Sequence, residues 1–292
     1  MSESPQQQQE EQAMLWNGPG ARAWIELQSL LDGALRQFEN LIVQEVAAQS
    51  ASRVLDVGCG TGATTLAVAR LLGTEGRVVG IDVSAPMIAV ARARAAREGL
   101  AANFIVADAQ TNPFEAASFD MITTRFGVMF FADPARALAN LRQAATDAAS
   151  LCLFVWRSAA DNPFMTTAER AAVPLLPEIP ARAADAPGQF AFADRVRVTR
   201  LLEVSGWSEI EIEPIDVPCA FPESELVRYF SNLGPLGRLL QEATEPARTQ
   251  VIAKIRAAFE PFVCQNEVRF LAACWRVRAR PGRGSGLQDR SR

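Results

Sequence analysis

The sequence predicts an α/β fold: a doubly wound, mainly parallel sheet with helical insertions covering one end. Three observations carry this. Short apolar runs alternate with helical segments from residue 54 to residue 156. The first run, Val54–Val57, ends in a turn holding Gly58, Gly60 and Gly62. Acidic residues then follow successive runs, as Asp82 follows Val78–Ile81 and Asp108 follows Phe104–Val106. In such sheets the strand C-termini face a ligand crevice.

The elements follow in order. Residues 1–12 are rich in Gln and Glu without periodicity and are expected to be disordered. Residues 13–50 form a helical cap, with Trp24, Leu27, Leu30, Leu31, Leu35, Phe38, Leu41 and Ile42 at three- and four-residue steps. Residues 51–277 form the main domain. Its strand candidates are Val54–Val57, Val78–Ile81, Phe104–Val106, Met121–Thr124, Leu151–Trp156, Ile210–Ile215 and Glu267–Val277. Helices are expected over Thr64–Leu72, Pro86–Glu98, Pro134–Thr146 and Ala193–Val204. Two insertions interrupt it: residues 157–193, with five prolines, and residues 217–264, largely amphipathic helix. The Arg-rich stretch 278–292 is expected to be a disordered basic tail.

Composition excludes several chemistries. The chain has 292 residues, no histidine and a formal net charge of −4. Histidine triads, HExxH zinc sites and imidazole acid–base catalysis are therefore absent. Cys59, Cys152, Cys219, Cys264 and Cys274 are odd in number, and no two have C-x-x-C spacing. That argues for reduced thiols in a cytoplasmic protein and against a disulfide framework or metal site. A mildly acidic chain has no global attraction for nucleic acid. No apolar run is long enough for membrane insertion. A homo-oligomer is left open.

The Gly-rich turn has the spacing G-x-G-x-G, not the dinucleotide fingerprint G-x-G-x-x-G. Asp56, two residues before Gly58, would meet a pyrophosphate as a like charge and favours a cationic head group. Asp82 can accept both hydroxyls of a ribose, although it also competes with Ser84 for a helix N-cap. Together with Asp108, these acids suit a nucleoside bearing a positive charge.

On these residues the chain resembles the class I S-adenosylmethionine-dependent methyltransferases. The matching segments are Leu55–Gly62, Ile81–Ser84 with Met87, Ala107–Ala109 and Ser118–Asp120; Phe119–Pro134 is similar to the ubiquinone/menaquinone C-methyltransferase group. The resemblance covers residues 50–156 and implies a Rossmann-like, seven-stranded sheet with an antiparallel last strand. It implies S-adenosyl-L-methionine as cofactor and a small-molecule substrate. Gly58, Gly60 and Gly62 would frame the methionine part, with Asp56 near the ammonium. Asp82 would bind the ribose, Val83 and Met87 would pack on the adenine, and Asp108 and Ala109 would bond to its edge. Thr124, Arg125 and Phe126 would face the sulfonium and the substrate, and Trp16 would act as a lid.

The catalytic group is not defined by sequence; Arg125 and Tyr229 are the candidates, each with an ordinary reading as an ion-pair partner or a packing residue. The apolar residues of 217–264, among them Phe221, Phe230, Leu236 and Phe259, either line a pocket for a hydrophobic or aromatic molecule or form a helical core or dimer interface. The chemistry expected is proximity-driven methyl transfer. Two other classes stay open: a cofactor-binding module without turnover, and an NAD-dependent oxidoreductase, against which Asp56 and the glycine spacing argue.

Overall fold

The computed structural model describes residues 5–176 and 186–282. Residues 1–4, 177–185 and 283–292, which include parts of the expected tails and of the first insertion, lie outside them. Four helices precede the sheet: α1 (Pro5–Asn17), α2 (Pro19–Glu26), α3 (Gln28–Ala34) and α4 (Arg36–Ala48). Then come β1 (Arg53–Val57), α5 (Ala63–Leu72), β2 (Arg77–Asp82), α6 (Ala85–Glu98), β3 (Ala102–Val106), β4 (Phe119–Arg125), α7 (Pro134–Ala144) and β5 (Ala145–Trp156). The second half holds α8 (Pro163–Ala172), α9 (Arg195–Val204), β6 (Trp207–Pro222), α10 (Leu226–Asn232), α11 (Gly234–Glu242), α12 (Glu245–Ala258), β7 (Val263–Cys264) and β8 (Glu267–Pro281).

The strand order is β3-β2-β1-β4-β5-β8-β6, with the two-residue β7 paired to β8. β1 to β5 run parallel, and β8 is antiparallel to both β5 and β6. The path of seven strands with an antiparallel last strand is the architecture expected. The chain lays β2 and β3 on one side of β1, then returns to place β4 on the other. The crevice at a reversal of this kind is where ligands bind in doubly wound sheets. Local chemistry supports the elements. Ser84 caps α6 by accepting from Met87 N, and Asp133 caps α7 by accepting from Arg136 N, each with proline in the first turn.

Three boundaries differ from expectation. Pro5–Gln12 is not disordered but belongs to α1. It is ordered by tertiary hydrogen bonds, Gln9 to Asp108 and Asn17 to Val83 and Ala85, which periodicity cannot reveal. Residues 217–222 belong to β6, not to the helical insertion, and alternate buried and exposed. Pro214, Pro218 and Pro222 share one parity on this edge strand, so their missing N–H groups lie on its unpaired side. Residues 278–281, expected to open the basic tail, belong instead to β8, which continues to Pro281 and uses its arginines structurally. Arg278 donates to both oxygens of the buried Glu45 on α4, at 2.6 and 3.0 Å, and Arg276 bridges Glu45 and Glu213.

That network fastens α4 to the sheet. A buried carboxylate holding two guanidiniums leaves both short of an acceptor when it is removed. Glu45→Ala is expected to cost roughly 2–4 kcal/mol of unfolding free energy in urea titrations. Glu213→Ala, on the exposed side, is expected to cost measurably less.

Candidate active site

The site grows from the turn after β1. Gly58, Gly60 and Gly62 have φ of +67°, +53° and +85°, the left-handed region that favours glycine. Gly58 N and Cys59 N donate to Ile81 O at the end of β2, and Gly60 N donates to Asp82 Oδ2 at 2.8 Å. From the other side, Thr124 Oγ1 donates to Val57 O at 2.6 Å and accepts from Gly127 N. The two loops then meet backbone to backbone: a Cβ on Gly58 would lie 2.6 Å from Gly127 Cα.

Above this floor opens a cavity of about 1150 Å³. One half is lined by Gly58, Gly60, Asp82, Val83, Met87, Asp108 and Ala109. Trp16 also lines the cavity, edge-on to Phe130 at 4.9 Å and to Trp24 at 6.4 Å. The other half is aromatic. Phe126 stacks on Trp156 at 4.5 Å and 11°, and Phe164 stacks on Phe270 at 3.9 Å and 2°. Phe126 has φ +65°, a costly conformation for a bulky residue that clusters at functional sites.

Asp82 is buried and accepts from Gly60 N and Ser84 N, both at 2.8 Å. Burial pushes its carboxyl up to about 6, against the opposing effect of those hydrogen bonds. Asp108 accepts from Gln110 N at 2.8 Å and from the Gln9 amide at 2.5 Å. Gln110 Nε2 also donates to both Asp108 oxygens, at 3.1 and 2.9 Å, so a ligand donor there would replace a side-chain amide, whereas each Asp82 oxygen keeps acceptor capacity for a further donor.

Three residues expected to touch the ligand do not line the cavity. Asp56 lies one layer beneath, where Oδ2 accepts from Thr64 and Thr65 at 2.5 and 2.6 Å and fastens the start of α5. Gly62 is packed against α6 and β3; a Cβ there would lie 2.9 Å from Ala91 Cβ. Thr124 is consumed by its clamp on Val57 and Gly127. Tyr229 lines the aromatic half, but burial raises its phenol well above the ordinary value, and its hydroxyl donates to Met165 Sδ at 3.7 Å. It can donate a hydrogen bond and is a poor base. Sequence reasoning missed Gln9, Trp24, Trp156 and Phe164 as cavity residues; the stacking of Phe126 on Trp156 left no signal beyond two aromatics at strand ends.

The comparisons follow this geometry. A family model described as a methyltransferase domain matches residues 54–147, the stretch that builds the turn and its acids. Over those residues the chain is similar to class I S-adenosylmethionine-dependent methyltransferases. It is similar to the ubiquinone/menaquinone biosynthesis C-methyltransferase of Marinomonas sp., 32% identical over 39% of this chain and 47% of the relative. It is also similar to the aklanonic acid methyltransferase of Streptomyces sp., 43% identical over 30% of this chain and 40% of the relative. The chain thus spans about half the length of the curated relatives it matches. Among solved structures, the YcgJ protein of Bacillus subtilis shares the fold, with TM-score 0.57 and 18% identity over 85% of this chain and 100% of that one. A Haemonchus contortus phosphoethanolamine N-methyltransferase that shares the fold, with TM-score 0.51 and 16% identity over 84% of this chain and 53% of that one, is solved in complex with S-adenosyl-L-methionine. A turn whose Gly60 leaves the backbone open to the cavity, with Asp82 and Asp108 beside it, fits that group.

Two measurements follow on the free methyltransferase domain. Gly58→Ala forces a Cβ into Gly127 and is expected to cost roughly 2–4 kcal/mol of stability. In Gly60→Ala the new Cβ meets only Met87 Sδ at 3.8 Å and Trp24 Nε1 at 3.9 Å. It is expected to cost only the left-handed backbone term, about 1 kcal/mol. Urea unfolding of the pair checks the contrast.

The second concerns pH. A carboxyl raised in the folded state gives stability that is full below its unfolded value, 3.8, and is lost as pH rises through about 6. The loss is at most about 3 kcal/mol. Asp82→Asn removes this slope, so its stability relative to the parent is expected to climb between pH 4 and pH 7 by up to about that amount. Parallel unfolding curves for the two proteins across that range would contradict the burial argument.

Proposed function

We propose that this chain transfers a methyl group from S-adenosylmethionine to a small apolar or aromatic acceptor. The observation that carries this reading is the continuity of one cavity from the glycine turn and its acids to the stacked aromatic wall. The cofactor supplies an electron-poor methyl on a sulfonium, open to in-line attack. In this reading Gly58 and Gly60 frame its amino-acid end, Asp82 accepts from the ribose hydroxyls, and Val83 and Met87 wall the adenine. Asp108 and Ala109 hold the adenine edge, Trp16 covers it, and Phe126 separates it from the acceptor. Asp56, Gly62 and Thr124 act from beneath, by holding the turn and its neighbouring loop in place.

The chain's own contribution is proximity and exclusion of water. Residues 13–50 and the two insertions form the cover in this reading. A phenol or acid that loses its proton to water arrives ready to react, so a strong base is unnecessary. With no histidine and with Tyr229 held protonated, a dedicated base has few candidates. The relatives named above act on quinone precursors' biosynthetic route and on aklanonic acid by their names, which supports a small-molecule acceptor. No helix among the described residues is long and apolar enough to cross a membrane.

Calorimetry with S-adenosylmethionine tests the cofactor roles. Asp82→Ala and Asp108→Ala are each expected to weaken binding by about 1–3 kcal/mol, because hydroxyl or amino donors lose a buried acceptor. Cofactor affinity of the parent is expected to rise between pH 5 and 7 as Asp82 ionises. Formation of S-adenosylhomocysteine with a panel of phenols, quinols and aromatic acids tests turnover. Cofactor binding with no product across the panel would favour the binding-module reading, and preferential stabilisation by NAD would favour an oxidoreductase.

A further inference from the structure

Arg125 ends β4 and lines the cavity. Its side chain is only 9% exposed. Among the described residues it makes no hydrogen bond: Nη1 is buried without an acceptor, and its one ion pair is with Glu39 Oε1 at 3.6 Å, beyond hydrogen-bond reach. Arg238 also lines the cavity but is exposed, and several other charged lining residues hold protein partners. Asp194 caps α9, Arg197 donates to Ala191 O, and Asp82 and Asp108 hold backbone and amide donors. Glu39 is a weak counter-ion, since burial raises its carboxyl against the pull of Arg125.

A guanidinium presents five N–H groups in a planar fork that matches a carboxylate in two parallel bonds. Buried polar groups of this kind are normally satisfied. The next residue in the chain, Phe126, lines the same cavity and stacks on Trp156, so that cavity offers a flat apolar wall as well as the cation.

We propose that Arg125 binds an oxyanion of the methyl acceptor, and that the acceptor is a planar aromatic acid whose carboxylate or phenolate it holds while the ring lies against the Phe126–Trp156 stack. This rests on the aromatic half being the acceptor site of the function proposed above. The same oxyanion chemistry is present in the amino-acid end of the cofactor, and the experiment separates the two sources.

The probes are salicylate, naphthoate and anthraquinone carboxylate, each beside its methyl ester. Binding to the parent protein saturated with S-adenosylhomocysteine is read by calorimetry, independently of turnover. At least one acid is expected to bind ten-fold or more tighter than its ester. In Arg125→Met that preference is expected to vanish while ester binding and S-adenosylmethionine affinity hold within two-fold. Because Arg125→Met leaves Glu39 unpaired, the double variant Arg125→Gln, Glu39→Gln is measured alongside, with thermal unfolding as the folding control. The same loss is expected in it. Equal binding of acids and esters by the parent overturns the proposal. So does a variant that keeps the preference, or one that loses cofactor affinity with no change toward the acids, which would assign Arg125 to the cofactor. Acid preference without any S-adenosylhomocysteine formed from S-adenosylmethionine would instead overturn the methyl-transfer reading and leave the oxyanion assignment standing.

Discussion

The ligand end of this molecule hangs on how closely two backbones approach between β1 and β4. Gly58 and Gly127 are so near that a Cβ on either would lie 2.6 Å from the other loop's backbone. Thr124 ties the approach by bonding to both sides, donating to Val57 O and accepting from Gly127 N. Phe126 sits between these two anchored positions and is carried to φ +65°. Its ring is thereby turned onto Trp156. One clamp at the strand-order reversal therefore sets both the floor of the cavity and the first wall of its aromatic half. Residues such as Thr124 and Gly127 are structural by contact and functional by consequence.

The acids are arranged in depth around this clamp. Asp56 is innermost and works on protein groups, holding the first turn of α5 through two threonine hydroxyls while its Oδ1 stays buried without a partner. Asp82 is intermediate: it is buried, it shapes the turn through Gly60 N, and it also lines the cavity. Asp108 lies farthest out, where the Gln9 amide of α1 reaches it. Desolvation dominates the two inner groups and raises both carboxyls. Holding such groups ionised at neutral pH requires donors close by, and Gly60 N of the glycine turn and Ser84 N supply them for Asp82. The turn and the acid thus stabilise each other before any ligand arrives.

Much of this was legible in the sequence because it is local. The strands of the first half, the glycine turn and the acids at strand ends depend on apolar runs and on glycine's conformational freedom, and both leave a pattern over a few residues. What was hidden depends on distant partners. Asp56 and Asp82 look alike in sequence, both close to the glycine turn; only the pairing of Asp56 with Thr64 and Thr65 separates a brace from a cavity residue. The length of β6 was obscured by its prolines, which are tolerated because the strand lies at the sheet edge. Arg276 and Arg278 read as the start of a basic tail, because Glu45 stands more than two hundred residues away in the chain. In each case a polar residue took its meaning from the partner that the fold brought to it.

The cover over the cavity follows the same logic. α1 has no apolar stripe that would dock it by burial alone, and Pro5–Gln12 is almost wholly polar. It is held instead at named points: Gln9 on Asp108, Asn17 on Val83 O and Ala85 N, and Trp16 against Phe130 and Trp24. Each polar contact exchanges with water at a net cost of only about 1 kcal/mol. An element fastened in this way belongs to the low-stability end of the structure, where opening is far cheaper than global unfolding. Beneath it the sheet and the Gly58–Gly127 contact are packed without such slack. The floor is thus set by backbone contact and the N-terminal helix by a few polar and aromatic contacts.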